Sequence, residues 1–302
     1  MSNDLSTTPL DVSATQALVA PTSRRHRTPS RHRFLDSATS VTVILIAILF
    51  AIPIVGTFLI SLRTQEDIAQ NGPWALPESF SFDAYTFAFP ELIPNFFASF
   101  VTTIPAVIVA CLVGALAAYA ISQFRFPGRK LIFLLLIAGG FIPIHVQLIP
   151  VFGIINALGL YDTYLGLILV HGMRNLGISV LILTNFFNAV PRDLRNAALI
   201  DGANEMQIFG RIFIPLTRPA FAALSIFLFT WVWNDLLWGL VLTQSDNMKP
   251  ITAGIIAFQG EYQVDWPLVA AGSLLATLPT IIVFLVFQRH FIKGLTMGSV
   301  KG

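Results

Sequence analysis

Four polar and aromatic residues lie close together inside one apolar stretch of the chain, where such groups are costly to expose to lipid. The group begins at Trp231, and its other members lie three, four and seven residues later: Asn234, Asp235 and Trp238. This spacing predicts one face of a helix. A ring beside a carboxylate and an amide suits a polyhydroxylated solute, because its C–H faces pack on the ring while its hydroxyls bond to the polar groups. The pattern therefore indicates a face that contacts a solute.

A second polar stripe precedes this one in the chain. His171, Asn175 and Ser179 recur every fourth residue, with Arg174 alongside. Two structural interpretations compete with solute contact: an Arg174–Asp235 pair could hold two helices together, and tryptophans near a helix end often anchor at the membrane interface. The candidate residues of a translocation pathway are Arg174, Trp231, Asn234, Asp235 and Trp238.

The sequence lacks the common catalytic motifs. None of its lysines follows a glycine, so no phosphate-binding G-x-x-x-x-G-K-[ST] loop exists and the chain has no such site for ATP. The five histidines form no H-E-x-x-H pair, and no G-x-S-x-G is present. We predict no catalytic residue, no metal and no cofactor. A membrane-embedded enzyme would need a clustered nucleophile or metal set.

Composition identifies an integral membrane protein. Hydrophobic residues make up 55% of the 302 residues and charged residues only 11%, with a mean hydropathy of +0.74. The net charge of +2 is too small to indicate a nucleic-acid partner. Cys111 is the single cysteine, which excludes an internal disulfide.

Six apolar stretches are long enough to cross the roughly 30 Å hydrocarbon core as helices. The predicted spans are 41–62, 97–121, 131–151, 165–187, 216–242 and 268–287. Pro143 and Pro279 should bend the third and sixth spans, and the small pairs Gly114 with Ala118 and Gly272 with Ala276 should let helices approach closely. The prediction is an all-α membrane protein.

The distribution of basic residues predicts the orientation. Fifteen Lys and Arg residues fall in the N-terminal tail, the second-to-third loop, the fourth-to-fifth loop and the C-terminal tail. The opposite loops hold only Arg63 and Lys249 against nine acids. Both termini should be cytoplasmic. The first span is longer than a signal-peptide core and should stay uncleaved, and residues 1–37 have too few large apolar side chains to order themselves.

The loop between the fourth and fifth spans is polar and helix-prone. Pro191 suits the first turn of a short helix that should run to about Ile200. Gly202 permits a turn that other residues resist, and a second short helix should follow to a break at Pro215. From periodicity alone, an amphipathic helix resting on lipid headgroups is an equally good interpretation.

This loop resembles the signature cytoplasmic loop of permease subunits of binding-protein-dependent ABC importers. The similarity continues in Gln147–Pro150, in 158–169, LGLYDTYLGLIL, and in the ending Gly294–Gly302, and it is greatest to sugar-type permeases such as the second permease of the maltose transporter. The resemblance implies the type I ABC permease fold with six transmembrane helices. It also implies an ATPase-coupling loop made by Asn196, Ala197, Ala198, Asp201, Gly202, Ala203, Ile212 and Pro215.

The resemblance implies the partners as well. They are a dimer of ABC ATPase subunits, a second permease, an extracytoplasmic sugar-binding protein, a sugar substrate and the plasma (inner) membrane. The implied domains are a disordered cytoplasmic tail over 1–37, the first helix and external loop over 38–95, a core over 96–291 with the coupling loop at 188–215, and a cytoplasmic tail over 292–302 that reaches the ATPases.

One position departs from the family pattern. The family loop usually begins Glu-Ala-Ala, and here Asn196 stands in place of the Glu that commonly meets a basic residue of the ATPase. Two alternatives remain open for the function. An ion-coupled secondary transporter would also carry intramembrane charges but usually has an internal repeat, which the chain lacks. An ABC permease for a glycerol-phosphate-like solute is the other.

Overall fold

A computed structural model describes residues 29–260 and 263–297, with side chains placed between residues 39 and 288 of those ranges. The described residues are helical, without a strand. The chain divides into two units, 1–53 and 54–302. In the first unit, helix α1 (Pro29–Ser61) begins twelve residues before the predicted span, so residues 29–37 of the predicted tail are helical. Residues 1–28 of that tail lie outside the described part.

Among the residues that the structure describes, the second unit contains the end of α1, thirteen further α-helices and three short segments of π or 3-10 helix. They are α2 (Gln65–Asn71), α3 (Asp83–Gln123), α4 (Arg129–Phe141), α5 (Ile144–Ala157), α6 (Tyr164–Arg174), α7 (Leu176–Ala189), α8 (Arg192–Ile200), α9 (Glu205–Ile208), α10 (Ile214–Leu216), α11 (Arg218–Trp233), α12 (Leu237–Leu242), α13 (Ile251–Ile256) and α14 (Trp266–Met297). Helix α3 is central and packs against α6, α7, α11 and α14. Its small residues Ala110, Gly114, Ala115 and Ala118 are buried there, which allows the close approach.

Three helical stretches are long and apolar enough to cross a membrane by themselves: Thr39–Ser61, Asp83–Gln123 and Trp266–Gln288. Three bent helix pairs qualify when each pair is taken as one span, which brings the described residues to at most six. The pairs are α4 with α5, bent by 103°, α6 with α7, bent by 44°, and Glu205–Leu216 with α11, bent by 77°.

The breaks follow from local chemistry. At the first, Ile142 is extended, the geometry that a following proline favours, and Pro143 begins the bend as predicted. At the second, the Asn175 side chain donates to the carbonyl oxygen of His171 at 2.8 Å, a second bond to a carbonyl that also accepts the Asn175 N–H at 3.2 Å. Pro279 lies inside the uninterrupted α14, so the predicted bend in the sixth span produces no break.

The two small-residue pairs differ in the structure. A Cβ atom added to Gly114 would lie 2.5 Å from the Cβ of Ser179, which shows that α3 and α7 touch there. A Cβ on Gly272 would lie 3.3 Å from Leu92 Cδ1 and 3.3 Å from Phe258 Cε2, a tight fit, but against outer side-chain atoms that can shift. Gly114 therefore allows the backbones of α3 and α7 to approach closely, whereas Gly272 matters less for the packing of its own helix.

Polar clamps hold the end of the bundle opposite α8. Asp162, with a left-handed φ of 57°, accepts the Gln244 and Ser245 backbone N–H groups at 2.8 and 3.0 Å and the Ser245 hydroxyl at 2.5 Å. These bonds, the hydroxyl first, lower the pKa of Asp162 below its ordinary value. Asn95 reaches the same segment by donating to the Lys249 carbonyl at 2.9 Å. The segment between α12 and α13 is thereby pinned to α3 and to the start of α6.

Candidate functional site

The predicted loop is two short helices joined by a tight turn. Helix α8 ends where Gly202 takes a φ of +82°, a value that favours glycine. The Gly202 N–H donates to Leu199 O at 3.1 Å and the Ala203 N–H to Ala198 O at 2.9 Å, the Schellman pattern that satisfies the last carbonyls of a helix. The predicted turn at Gly202 is present.

The second helix begins with a reciprocal cap. The Asn204 side chain accepts the Gln207 N–H at 2.9 Å, and the Gln207 side chain accepts the Asn204 N–H at 3.0 Å. A π-helical turn over Phe209–Phe213 follows, and the Ile214 N–H reaches back to Phe209 O. The wider turn accommodates Pro215, so the helix continues to Leu216 and breaks at Thr217, two residues beyond the predicted break.

A polar anchor ties this loop to α3. The Tyr119 hydroxyl donates to Glu205 Oε2 at 2.6 Å, and the Arg195 guanidinium forms a salt bridge with the same carboxylate. The bond to Glu205 raises the pKa of Arg195 above its ordinary value. Arg195 also lies 5.3 Å above the Phe124 ring. Both short helices are thus joined to each other and to the bundle at one point.

An aromatic cluster surrounds the anchor. The Tyr119 ring packs edge-on against Phe187 and Phe213, at 6.3 and 4.9 Å, and lies 5.2 Å from Phe209. Phe187 and Phe213 are fully buried. The sequence interpretation missed Glu205, Arg195 and Tyr119, because Tyr119 lies 86 residues before Glu205 and no local pattern connects them.

The predicted coupling residues divide by exposure. Asn196, Ala197, Asp201 and Gly202 are exposed. Ala198, Ala203 and Ile212 are half-buried against the core, and Pro215 is half-buried. Beside the exposed group stand two apolar side chains that no described contact covers well, Ile200 at 87% and Met206 at 67% exposure. The outward surface of the loop is therefore a mixture of small, polar and apolar groups.

The predicted pathway residues lie around a break in the fifth span. Helix α11 ends at Trp233 and α12 begins at Leu237, so the predicted single helical face does not exist. An open cavity of about 510 Å³ is lined there by Arg174, Thr230, Trp231, Asn234 and Asp235, among others. Four of the five predicted pathway residues thus share one cavity.

The side chains of Asn234 and Asp235 also form hydrogen bonds with backbone groups on either side of the helix break. The Asn234 amide donates to Thr230 O at 2.8 Å, and Asp235 Oδ2 accepts the Trp238 N–H at 2.9 Å, which caps the start of α12. Asp235 lies 3.9 Å from His171 Nε2, whereas the expected Arg174–Asp235 pair is not formed. Arg174 Nε is buried and lacks a hydrogen-bond partner among the described residues.

The two tryptophans have different environments. Trp231 is 52% exposed and stacks on Phe227 at 5.9 Å, leaving an aromatic face open to the cavity. Trp238 is fully buried in a small cluster with Ile155, Leu167 and Leu242. Trp238 does not line this cavity, because the helix break turns it into the core, and its predicted pathway role stays a prediction.

The second polar stripe is structural. His171, Asn175 and Ser179 are buried, and Ser179 Oγ donates to Asn175 O at 2.8 Å just as Asn175 does to His171. The Asn175 and Ser179 side chains bond to backbone carbonyls along the α6–α7 bend, and Ser179 faces α3 at Gly114. Their fourfold spacing thus reflects bonds within the helix pair.

Apolar helices, an anchored polar loop at one end and a cavity at a broken helix toward the other define a membrane transport protein. Helix α11 connects the two: it starts directly after the loop and its 16 residues rise about 24 Å to the cavity. Comparison with known proteins narrows this class.

Residues 110–297, more than half of the chain, match the family of binding-protein-dependent transport system inner membrane components. The chain belongs to this family. It is a transport subunit of an ABC importer rather than an enzyme, and a multi-pass membrane protein.

Several relatives cover most of the chain. The trehalose transport system permease protein SugB of Mycobacterium tuberculosis is 34% identical over 83% of this chain and 92% of its own. The osmoprotective compounds uptake permease protein GgtD of Synechocystis is 33% identical over 86% and 91%. The arabinooligosaccharides transport system permease protein AraQ of Bacillus subtilis is 32% identical over 88% and 95%.

A solved structure confirms the predicted fold. The crystal structure of a bacterial ABC transporter that imports the acidic polysaccharide alginate contains a chain that matches with a TM-score of 0.74 at 22% identity. The match covers 87% of this chain and 99% of that one. The type I ABC permease fold predicted from the sequence is therefore correct.

Proposed function

We propose that this chain is the permease subunit of an ATP-driven importer that passes a sugar, a mono- or oligosaccharide, from an extracytoplasmic binding protein into the cytoplasm. The observation that carries the proposal is the anchored loop. Tyr119 and Arg195 fix the Glu205 carboxylate, so a force on α8 and α9 reaches α3 and α11 instead of being absorbed by a flexible segment.

The exposed surface of the loop is where the ATPase dimer would dock. Asn196 and Ala197 are exposed beside Ile200 and Met206, which offers a partner apolar area and small groups. A neutral Asn196 would form a weaker bond to a basic partner than a Glu would. A second permease would complete the cavity, which is open on one side of this subunit.

The cavity supports a sugar as the solute. Arg174 and Asp235 carry opposite formal charges, Asn234 supplies an amide, and Trp231 offers a ring face. Sugar recognition by rings and planar polar groups fits this combination. Relatives named for trehalose and arabinooligosaccharides agree with this solute class. Both termini would be cytoplasmic, with the loop on the same side.

Gly202→Pro tests the loop as the coupling element. Proline cannot adopt a φ of +82° and would remove the N–H bond to Leu199, so the turn between α8 and α9 cannot form. We expect normal membrane insertion, with solute-stimulated ATPase activity and uptake of the assembled complex both lost at least tenfold. Normal uptake by this variant would contradict the proposal.

Cross-linking tests the docking surface in the complete complex. With Cys111 replaced by serine, Ala197→Cys should cross-link to the ATPase, whereas Gln244→Cys, exposed at the opposite end, should not. Uptake by the permease alone, without an ATPase, would instead support an ion-coupled transporter.

One observation favours a second candidate solute. The unpartnered Arg174 Nε beside the cavity suits a solute with an acidic group, such as a glycerol-phosphate-like compound. Solute-stimulated ATPase activity, measured with neutral sugars and with acidic ones and their binding protein, separates the two. Stimulation by acidic solutes alone would support the second candidate.

A further inference from the structure

A basic pocket lies at the loop end of the bundle, where the ends of α3 and α7 meet the starts of α4 and α8. Its volume is about 250 Å³. Its lining includes three cationic side chains, Arg129, Lys130 and Arg192, and the neutral polar side chains of Thr184, Asn185 and Asn188. No carboxylate lines it; Asp193, next to Arg192, points to solvent as an exposed residue.

An unpartnered hydroxyl marks the inner wall of this pocket. Thr184 is only 6% exposed, and its Oγ1 is buried without a hydrogen-bond partner among the described residues. Buried hydroxyl groups normally bond to protein or to a bound molecule. A ligand that accepts hydrogen bonds would satisfy Thr184 and the cations together.

The hydrogen-bond donors of the pocket suit a phosphate group. Arginine, lysine and asparagine side chains supply N–H donors, and α4, thirteen residues long, begins at the pocket with the positive end of its dipole. Arg129 is held in place because its Nη1 donates to Phe124 O at 3.1 Å. A second cavity of about 530 Å³ shares Arg129 and Lys130 and adds Arg125, so the positive region extends outward.

The exposed apolar surface beside the pocket favours a lipid over a soluble anion as the ligand. Leu131, Leu134 and Leu135 follow the basic residues on α4, and each is 61% exposed. A free phosphate would gain nothing from this apolar strip, whereas acyl chains would cover it. We propose that the pocket binds the headgroup phosphate of an anionic phospholipid whose acyl chains lie along α4. Basic pockets between membrane helices bind such headgroups.

This site does not depend on the proposed solute or on the ATPase. It does lie beside the coupling loop, because Arg192 is the first residue of α8. A bound headgroup would fix the start of α8 against α4 and α7, so anionic lipid would stiffen the loop at its entry as Glu205 does at its turn.

Native mass spectrometry of the purified full-length chain with equal amounts of phosphatidylglycerol and phosphatidylcholine tests the site. The wild type should retain phosphatidylglycerol preferentially. Thr184→Val removes the hydroxyl without changing charge or much volume and should weaken that retention about tenfold. Arg129→Gln with Lys130→Gln should weaken it about thirtyfold. The matched control is Thr280→Val, which removes another buried unpartnered hydroxyl on α14, away from the pocket.

Three results would overturn the proposal. Equal retention of the two lipids by the wild type would show that no anionic headgroup site exists. If Thr184→Val retained phosphatidylglycerol as Thr280→Val does, the preference for this lipid would come from general surface charge and not from the pocket. Complete displacement of phosphatidylglycerol by excess inorganic phosphate would identify a soluble-anion site instead.

Discussion

The Glu205 carboxylate determines where the proposed coupling loop lies, because it is the acceptor for both Tyr119 and Arg195. Helix α8 carries Arg195, α9 begins at Glu205, and α3 carries Tyr119, so three helices meet at one side chain. The position of Glu205 therefore fixes the two short helices relative to α3.

Glu205→Gln should loosen the loop while leaving its shape intact. The charge-assisted bonds become neutral, and since the Glu205 side chain is 35% exposed the cost should be about 1 kcal/mol. Hydrogen exchange over 192–208 should rise about fivefold, with a lower ratio of uptake to ATP hydrolysis. Glu66→Gln, at the opposite end, is the control, and unchanged exchange in Glu205→Gln would remove the anchor role.

Asp162 makes the opposite end sensitive to pH. Because its pKa is lowered in the folded protein, its stabilising contribution is complete above the ordinary value of about 3.9 and is lost as pH falls through the folded value. Asp162→Asn tolerates the left-handed φ and loses the charge. We expect faster hydrogen exchange over 243–250 in this variant at neutral pH, by about fivefold.

That difference should vanish only as the pH falls below the folded pKa of Asp162, which lies below its ordinary value, because the wild-type carboxylate is then protonated as well. Exchange is compared after correction for its intrinsic pH dependence. A difference between variant and wild type that persists unchanged at low pH would show that the charge of Asp162 does not hold the segment.

At the scale of elements, the contact between α3 and α7 depends on Gly114. A methyl group there would meet Ser179 Cβ, which is fixed to its backbone, so the helices would have to separate. Gly114→Ala should cost about 1–3 kcal/mol. Gly272→Ala is the matched control: its neighbours are side-chain tips, and alanine's helix preference offsets the crowding.

Thermal survival of the monodisperse protein in detergent measures both substitutions. Gly114→Ala should lower the midpoint by several degrees, while Gly272→Ala should stay near the wild type. Equal midpoints would mean that α3 and α7 relax apart at little cost.

The two predicted proline bends also differ in the structure. Pro143 lies at a 103° bend, whereas Pro279 leaves α14 continuous. Whether a proline breaks a membrane helix depends on whether the freed carbonyl groups find other partners.

At the scale of the whole molecule, two tryptophans that the sequence places on one helix face lie in different places. Trp231 lines the cavity, and Trp238 is buried in the core. Trp231→Ala should reduce uptake at least fivefold with the complex still assembled, since its ring is exposed to the cavity. Trp238→Ala should instead cost about 3–5 kcal/mol and reduce the amount of assembled complex, because the ring is fully buried.

Asp235→Asn distinguishes a pathway role from a structural one within the same assay. Asparagine can still accept the Trp238 N–H, so α12 should stay capped and the complex assembled. We expect reduced uptake with ATPase coupling retained. Loss of the assembled complex would assign Asp235 to the fold alone, and normal uptake would exclude it from the pathway.

Much of the fold is already contained in local sequence. Apolar lengths determine which segments can span a membrane, and Gly202 determines the turn, because these effects act within a few residues. The C-terminus illustrates the limit of local sequence: a tail is predicted from 292 to 302, yet α14 continues to Met297, and residues 298–302 lie outside the described part.

Tertiary structure alone decided the rest. It selected Tyr119 as the partner of Glu205, broke the fifth span at 234–236, buried Trp238 while leaving Trp231 exposed, and placed Thr184 beside Arg129 and Arg192. Each of these depends on contacts between residues far apart in the chain. Hydropathy and backbone preference are properties of short segments, whereas partners and cavities exist only once the helices have packed.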